Sequence, residues 1–267
     1  MMPLRSPHRF AIIAAVAFVS AASGAARPAQ DADAVVLSYS APSSVVLHQP
    51  IVVEFTVQNG TPDSVRLDLG RGATRNFVVR VGRPDGVVVD APSVPAFKDG
   101  PLDPGRRAVP PLGTYTQELI LNEWFSFDQP GSYRVDIDLA AKIQSQTGET
   151  IDAPARGVMT VRVGPRDDGV LNAICHELFW QIRNTTDTAR RYAAAGKLAH
   201  VNDEVALPYI KQIVDDTDAV DHFLIPALVG LGTPRARSIL AEMAQSNDDG
   251  RASQASTALS GLRKRRQ

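Results

Sequence analysis

The sequence has almost no cysteine. Cys175 is the single one among 267 residues, so no disulfide forms within the chain, and its domains have to be held together by hydrophobic cores. Cys175 lies in a helical pattern of apolar residues, and we expect it to be a small buried side chain. Pairing of its thiol with a second chain is the alternative.

An excess of charge of one sign is also missing. Lys and Arg together number 28 and Asp and Glu 29. The first 26 residues hold Arg5 and Arg9 and no acid, so without these two the 26 remaining basic side chains face 29 acidic ones. Because no strong electrostatic field survives, we expect neither nucleic acid nor an anionic membrane as a partner.

Known catalytic motifs are absent. His176-Glu177 has no second histidine four residues on, so the zinc-protease helix pattern is incomplete. The sequence has no Gly-x-Ser-x-Gly elbow, no phosphate-binding glycine loop and no cysteine pair for a metal. His200, Asp203 and Glu204 come close together in the sequence, and we interpret them as part of a turn. We therefore expect no catalytic residue, cofactor, metal or small-molecule ligand.

Long hydrophobic runs are missing, apart from one at the N-terminus. The apolar run 10–22 is shorter than the roughly 20 residues of a membrane span. It follows a basic segment (5–9) and precedes small residues, which is the order found in a signal peptide. We predict that residues 1–26 are a signal peptide cleaved near Ala25 or Ala26. The product is then exported, periplasmic or secreted, without a stable membrane span; an uncleaved anchor is the alternative.

Residues 34–163 show apolar residues at every second position, in short runs separated by turn residues. In residues 51–59, Ile51, Val53, Phe55 and Val57 share one face while polar residues occupy the other. This period of two buries one face of a strand and exposes the other. No helical period interrupts the set, so we predict an antiparallel immunoglobulin-like β-sandwich.

An aromatic segment lies at the centre of this half. We predict that Trp124 and Phe127 close one end of the sandwich, and that Tyr133, after the Pro130-Gly131 turn, occupies a corner like the tyrosine corner of such folds. A ligand platform is the alternative.

A proline-rich stretch, 90–113, is predicted to be a long loop. Loops of this length often bind partners, and a solvated excursion is the alternative. Its candidate protein-binding residues are Phe97, Lys98, Arg106 and Arg107.

Three segments of the first half carry a family resemblance. They are the Pro-Ile-x-Val-x-Phe-x-Val-x-Asn strand (50–59), a phenylalanine strand that ends at Asp85-Gly86, and Pro130-Gly131-Ser132-Tyr133. Together they resemble the domain of bacterial intracellular proteinase inhibitors, over about residues 45–140. The resemblance implies an immunoglobulin-like sandwich and, in some members, protease inhibition. This chain departs from that family by its predicted export, and no inhibitory contact residue matches.

Residues 164–169 break both composition and period, and we predict them to be a linker. From 170 to 263 the apolar spacing is helical, and it repeats at intervals of 30 or 31 residues. Asp187, Asp218 and Asp249 recur every 31 residues and are predicted N-caps of the second helices. Gly232 suits a helix end, and Pro226 is predicted to bend a helix.

The runs that begin at Asp187 and Asp249, each with a following arginine and small residues, resemble HEAT-like repeats of the phycobilisome-lyase type. This resemblance spans about 170–263 and implies a short α-solenoid, without pigment-lyase chemistry. Stacked helix pairs create a curved face that binds proteins; a solvated face that binds nothing is the alternative. The candidate residues of that face, expected to be partly exposed, are Arg190, Arg191, Lys197, Asp221, His222 and Arg251.

The sequence thus predicts a multidomain β + α protein, with a β-sandwich followed by three HEAT-like helix pairs. We predict that the protein is exported and non-catalytic, and that it binds other proteins in the bacterial envelope as a scaffold or adaptor. One alternative is an envelope protease inhibitor that acts through the sandwich and its 90–113 loop. The other is an enzyme with an unrecognised site, which requires a concave cluster of titratable residues with perturbed pKa values.

Overall fold

A computed structural model describes residues 34–70, 74–91, 105–153 and 155–264. All described β-strands lie before residue 165, and the α-helices follow them. The predicted signal peptide and the candidate residues Phe97 and Lys98 lie outside the described residues. Within the described ranges, every helix is too short or too polar to cross a membrane.

The strands follow the period-two pattern. Described are β1 (Val35–Ser40), β2 (Ser44–Val46), β3 (Val52–Asn59), β4 (Val65–Asp68), β5 (Phe77–Gly82), β6 (Val88–Asp90), β7 (Arg106–Val109), β8 (Thr114–Ile120), β9 (Gly131–Leu139), β10 (Ile143–Ser145), β11 (Thr150–Ile151) and β12 (Arg156–Gly164). In β3, Val53, Phe55 and Val57 are fully buried while Glu54 and Gln58 are exposed, which confirms the predicted faces.

The strands form three sheets, in the orders β1-β3-β8, β11-β10-β4-β7 and β2-β12-β9-β5-β6. All described pairs are antiparallel except β2 with β12, where Val45 lies opposite Val163 in a parallel pair. The prediction of a purely antiparallel fold was therefore wrong at this edge. The cause is that the chain leaves β1 before Pro42, and the separate short strand β2 then adds to the edge of another sheet.

One hydrophobic core is shared by the three sheets. Phe55 comes from the first, Leu67 from the second, and Val79 and Ile137 from the third, each at most 2% exposed. Burial of one large apolar side chain contributes about 1.5–3 kcal/mol. The inward-facing alternate residues therefore hold this half together without a disulfide.

The aromatic segment closes this core as predicted. Trp124 and Phe127 are buried, and the Phe127 ring lies 5.0 Å from the Tyr133 ring. The Tyr133 hydroxyl donates a 2.9 Å hydrogen bond to the Gln129 carbonyl, a bond of the kind that a tyrosine corner makes. Gly131 is required at this turn, since a Cβ there would lie 2.4 Å from a carbon of the Pro84 ring.

The predicted loop 90–113 is wrong in part. Residues 106–109 form β7, which pairs with β4 and places Arg107 opposite Leu67. Prolines flank this short segment at 104 and 110 but do not interrupt it, so its backbone donors are free to pair. The abundance of proline around the strand concealed it.

Six helices lie in the described part of the second half: α1 (Asp168–Asn184), α2 (Thr188–Ala199), α3 (Leu207–Asp216), α4 (Asp221–Leu231), α5 (Pro234–Met243) and α6 (Asp249–Lys264). Their apolar stripes meet in a second core that includes Leu171, Leu198 and Leu240. Cys175 is fully buried there as predicted, and burial raises the pKa of its thiol to about 12.

The helix ends agree only in part with the caps predicted from the sequence. Asp187 caps α2 by accepting from the amides of residues 189 and 190. Asp249 is wrong by one position, because the side chain of Asp248 accepts from the Arg251 amide at 2.7 Å. Asp218 is also wrong as an N-cap, since α4 begins later, at Asp221, without a side-chain cap. Gly232 ends α4 in the left-handed conformation, and Pro226 lies inside that helix, as predicted.

The strands and helices belong to one compact unit. Residues 165–167 connect β12 to α1, so α1 begins inside the predicted linker. Arg166 in this connection donates to Asp203 at 3.0 Å, and the Asn202 amide donates to the His48 carbonyl at 3.1 Å. On the other side of the contact, Lys197 of α2 donates to Glu118 of β8 at 2.7 Å. Polar bonds therefore connect the two halves at several points.

Candidate functional site: a cleft between strands and helices

A cleft of about 280 Å³ lies where the chain between β8 and β9 faces α2 and α4. Its walls are largely apolar, and its polar groups come from three separate parts of the chain. Its lining includes His48, Glu123, Phe125, Phe127, His200 and Phe223. A largely apolar pocket with a few converging polar groups is the usual form of a ligand site.

Glu123 reaches the cleft because a short 3-10 helix, Leu121–Glu123, follows β8. Residues of such a turn point about 120° apart. Leu121 is fully buried in the core, and the Asn122 side chain accepts from the Ile51 amide at 2.7 Å. With these two directions fixed, the carboxyl of Glu123 is directed into the cleft, and 22% of its side chain is exposed.

His200 approaches from the other wall. It is the C-cap of α2, and its Nε2 lies 3.9 Å from a carboxylate oxygen of Glu123. Burial raises the pKa of Glu123 to about 7 and lowers the pKa of His200 to about 4. Burial disfavours the charged form of each group. Between these two pKa values both side chains are predominantly neutral.

His48 lies at the edge of the cleft in an unusual backbone conformation. Its φ is +74°, which costs a non-glycine residue about 1–3 kcal/mol. Its backbone carbonyl and its Nδ1 both contact the Asn202 backbone, and its ring lies 3.9 Å from Asp203. Asp203 is itself held by Arg166, which lowers the pKa of the Asp203 carboxyl. These contacts between the halves hold the strained turn.

The charge in the cleft has one sign. Among the described lining residues, Glu123 is the single Asp, Glu, Lys or Arg. The residues described contain no group of three or more His, Cys, Asp and Glu side chains placed to hold a metal ion. The cleft therefore presents a carboxyl group against aromatic walls.

The predicted face of the second helices is largely occupied by contacts within the chain. Lys197 pairs with Glu118, Arg191 donates to the Thr185 carbonyl at 2.7 Å, and His222 packs with its ring 5.3 Å from that of Tyr192. Arg190 is the candidate that projects into solvent, with 83% of its side chain exposed.

The expectation that Asp221 and Arg251 are exposed was wrong. They form an ion pair at 2.6 Å, with 7% and 14% of their side chains exposed. Arg251 also donates to the carbonyls of Val214 and Thr217. The first and third repeats carry Arg190 and Arg251 near this position, whereas the middle repeat carries Asp221, and this acid binds Arg251 of the next repeat.

Arg106 and Arg107 lie on β7 rather than on a loop. Arg106 is 3.9 Å from Asp68, and Arg107 donates to the Tyr115 hydroxyl at 3.1 Å. With Arg66 and Lys142 they surround a shallow depression on the four-stranded sheet. The structure thus separates these two residues from the helical candidates and from the cleft.

The outward face of α1 carries a large aromatic residue. Trp180 is 57% exposed, whereas Trp124 is buried. His176, Glu177 and Arg183, one turn to either side on this face, are also exposed. Tryptophan with a polar surround is characteristic of protein interfaces.

Comparison with known proteins shows a similarity to HEAT repeats over residues 176–260. No curated protein matches the chain in a sequence comparison. Among solved structures, the CARDB domain of a Pyrococcus furiosus protein, in complex with two metal ions, is 12% identical (TM-score 0.28) and aligns with 50% of this chain and 94% of its own. A PapD-like domain of human CEP192 is 11% identical (TM-score 0.30) and aligns with 51% and 88%.

Sequence reasoning missed Glu123 and Trp180. Glu123 sits in a segment that the aromatic residues mark as structural, and its partner His200 is distant in the sequence, so no local pattern joins them. For Trp180 a signal existed, since it lies off the buried stripe of α1 that contains Leu171, Cys175 and Leu178.

Proposed function

We propose that the chain is a non-catalytic protein-binding protein, an adaptor or scaffold that acts after export in the bacterial envelope. In this proposal the β half is an immunoglobulin-like sandwich and the six helices are three HEAT-like pairs. The similarity to HEAT repeats over residues 176–260 supports it. Stacked helices of this kind offer an extended surface to a partner.

The observation that carries the proposal is the exposed Trp180. The Trp180 side chain is 57% exposed, so a large apolar area is in contact with water. This exposure does not stabilise the free protein, whereas burial of the indole against a partner would be favourable. The surrounding His176, Glu177 and Arg183 form a polar rim, and such a rim around an aromatic anchor is the arrangement of an interface hot spot. Trp180 would insert into a pocket of the partner.

Site-specific photo-crosslinking in the native host tests this. In one strain a photoreactive phenylalanine replaces Trp180. In a matched control strain it replaces Val158, a residue of β12 that is 51% exposed. We expect a discrete crosslinked species from position 180 that is absent from position 158. Equal crosslinking at both positions, or none at 180, contradicts the proposal.

Two alternatives stay predictions. The protease inhibitor depends on the 90–113 loop, of which residues 92–104 lie outside the described part; unchanged activity of exported proteases at micromolar protein would contradict it. The enzyme requires a concave cluster of perturbed titratable groups, and Glu123 and His200 meet that requirement. An enzymatic activity of the wild-type chain that is lost in both Glu123→Gln and His200→Gln would favour the enzyme alternative.

A further inference from the structure

Above its pKa of about 7, Glu123 gives the cleft a negative charge that no lysine or arginine of the described lining neutralises. Among the described residues, His200 is the ion-pair partner recorded for Glu123, at 3.9 Å. Its imidazole is neutral at ordinary pH, because burial lowers its pKa to about 4. The ionised carboxylate of Glu123 therefore lies in a poorly solvated place without a compensating charge. A ligand cation would supply that charge.

The cationic groups near the cleft are already engaged. Lys197 pairs with Glu118, and Arg166 pairs with Asp203. His48, the remaining titratable residue of the lining, contacts the Asn202 backbone. No lysine or arginine is among the described lining residues. The position opposite Glu123 is thus open to a cation from outside.

The lining of the cleft indicates that the uncharged part of the ligand is apolar. Phe125, Phe127 and Phe223 line the cleft with aromatic surface. Such surface packs against an aliphatic stem, and ring faces attract cations. The volume, about 280 Å³, is just below the usual range for ligand pockets, which is roughly 300–1,000 Å³. A compact ligand fits this space better than an extended peptide.

We propose that the cleft binds a small aliphatic primary amine in its ammonium form. The ammonium group donates to the carboxylate of Glu123 and to the neutral Nε2 of His200. The aliphatic stem lies against the phenylalanine rings. An ammonium suits the site because it is a compact point charge with three donors. This inference is independent of the protein-binding proposal, which concerns the outer face of α1.

The pH dependence of affinity follows from the carboxyl group. The amine binds the ionised form of Glu123, whose pKa in the free protein is about 7. Below that pKa, each pH unit lowers the ionised fraction about tenfold. Affinity for the amine is therefore expected to fall about a hundredfold between pH 8 and pH 5. Neutral ligands of the same shape should show no such fall.

Isothermal titration calorimetry of the full chain with pentylamine, in amine-free buffer, tests the proposal. 1-Pentanol is the neutral control ligand. Glu123→Gln removes the charge with little change of shape, and Glu149→Gln makes the same change at an exposed position between β10 and β11, away from the cleft. Thermal unfolding of both variants checks that they are folded. An acetylated, amidated lysine is a third ligand, which represents the side chain of a protein partner.

The expected result is millimolar or tighter binding of pentylamine at pH 8, about a hundredfold weaker at pH 5. Glu123→Gln should lose this binding and Glu149→Gln should retain it. Pentanol should bind more weakly than pentylamine at pH 8. Equal binding of the two ligands, equal affinity at the two pH values, or binding of the lysine derivative without pentylamine overturns the proposal. The pH and pentanol comparisons use the wild-type chain, so they decide the question even if a variant fails to fold.

Discussion

The ion pair between Arg251 and Asp221 predicts a large loss of stability when it is broken. Replacing Arg251 by methionine retains an apolar stem of similar length but removes the guanidinium group. The Asp221 carboxylate, 7% exposed, then lacks its cation, and the carbonyls of Val214 and Thr217 lose their donor. Removal of one partner from a buried ion pair costs about 3–5 kcal/mol. We expect a loss of about 3 kcal/mol in the free energy of unfolding, since some exposure remains.

The pH dependence of this loss is specific. Burial raises the pKa of Asp221 even with Arg251 beside it. Without the arginine the carboxyl group escapes part of the penalty by binding a proton. The destabilisation by Arg251→Met should therefore be smaller at pH 5 than at pH 8.

Urea unfolding followed by circular dichroism measures these effects. Arg190→Met is the matched control. Arg190 pairs with Asp187 at 3.5 Å, and the Arg190 side chain is 83% exposed. An exposed pair contributes about 0–1 kcal/mol. The double variant Asp221→Leu/Arg251→Met should recover at least about 1 kcal/mol relative to Arg251→Met, because it leaves no buried charge. Equal small losses in Arg251→Met and Arg190→Met would show that the buried pair contributes no more than an exposed one.

Three other substitutions test separate parts of the fold. Asp187→Ala removes the cap of α2 and should cost about 1 kcal/mol in unfolding free energy, whereas Asp218→Ala should cost less than about 0.5 kcal/mol; equal losses would contradict the assignment of caps. Tyr133→Phe deletes the bond to Gln129 and should cost about 1 kcal/mol in a urea titration, so an unchanged midpoint would contradict it. Glu123→Gln should stabilise the chain by about 1–3 kcal/mol at pH 8 and by nothing near pH 4. The sign follows because the folded pKa, about 7, is above the usual 4.5, so the wild type loses stability as pH rises through this range.

Much of the fold could be predicted from local patterns. The alternation in residues 51–59 determines which face of β3 is buried, and Tyr133 after Pro130-Gly131 marks a corner. The apolar spacing from Leu171 onward locates the helices, and Asp187 marks the start of α2. Each of these features depends on neighbours in the sequence, which local patterns describe well.

The rest depends on contacts between distant residues. The strand at 106–109 forms because the edge of β4 is available to it, which its own proline-rich surroundings do not show. Arg251 and Asp221 have the composition of a solvated helix face, and only the stacking of α6 on α4 buries them. The cleft arises where residue 123 meets residue 200, and the perturbed pKa of each follows from burial that no short segment contains.

At the junction of strands and helices, the poorly solvated carboxyl group of Glu123 lies in a cleft. The direct measurement is the pKa of the Glu123 carboxyl, from the side-chain carbon chemical shift in an NMR pH titration, with Glu123→Gln to assign the signal. We expect a pKa of about 7. A midpoint near the usual glutamate value of 4.5 would show that the cleft does not desolvate this carboxyl group.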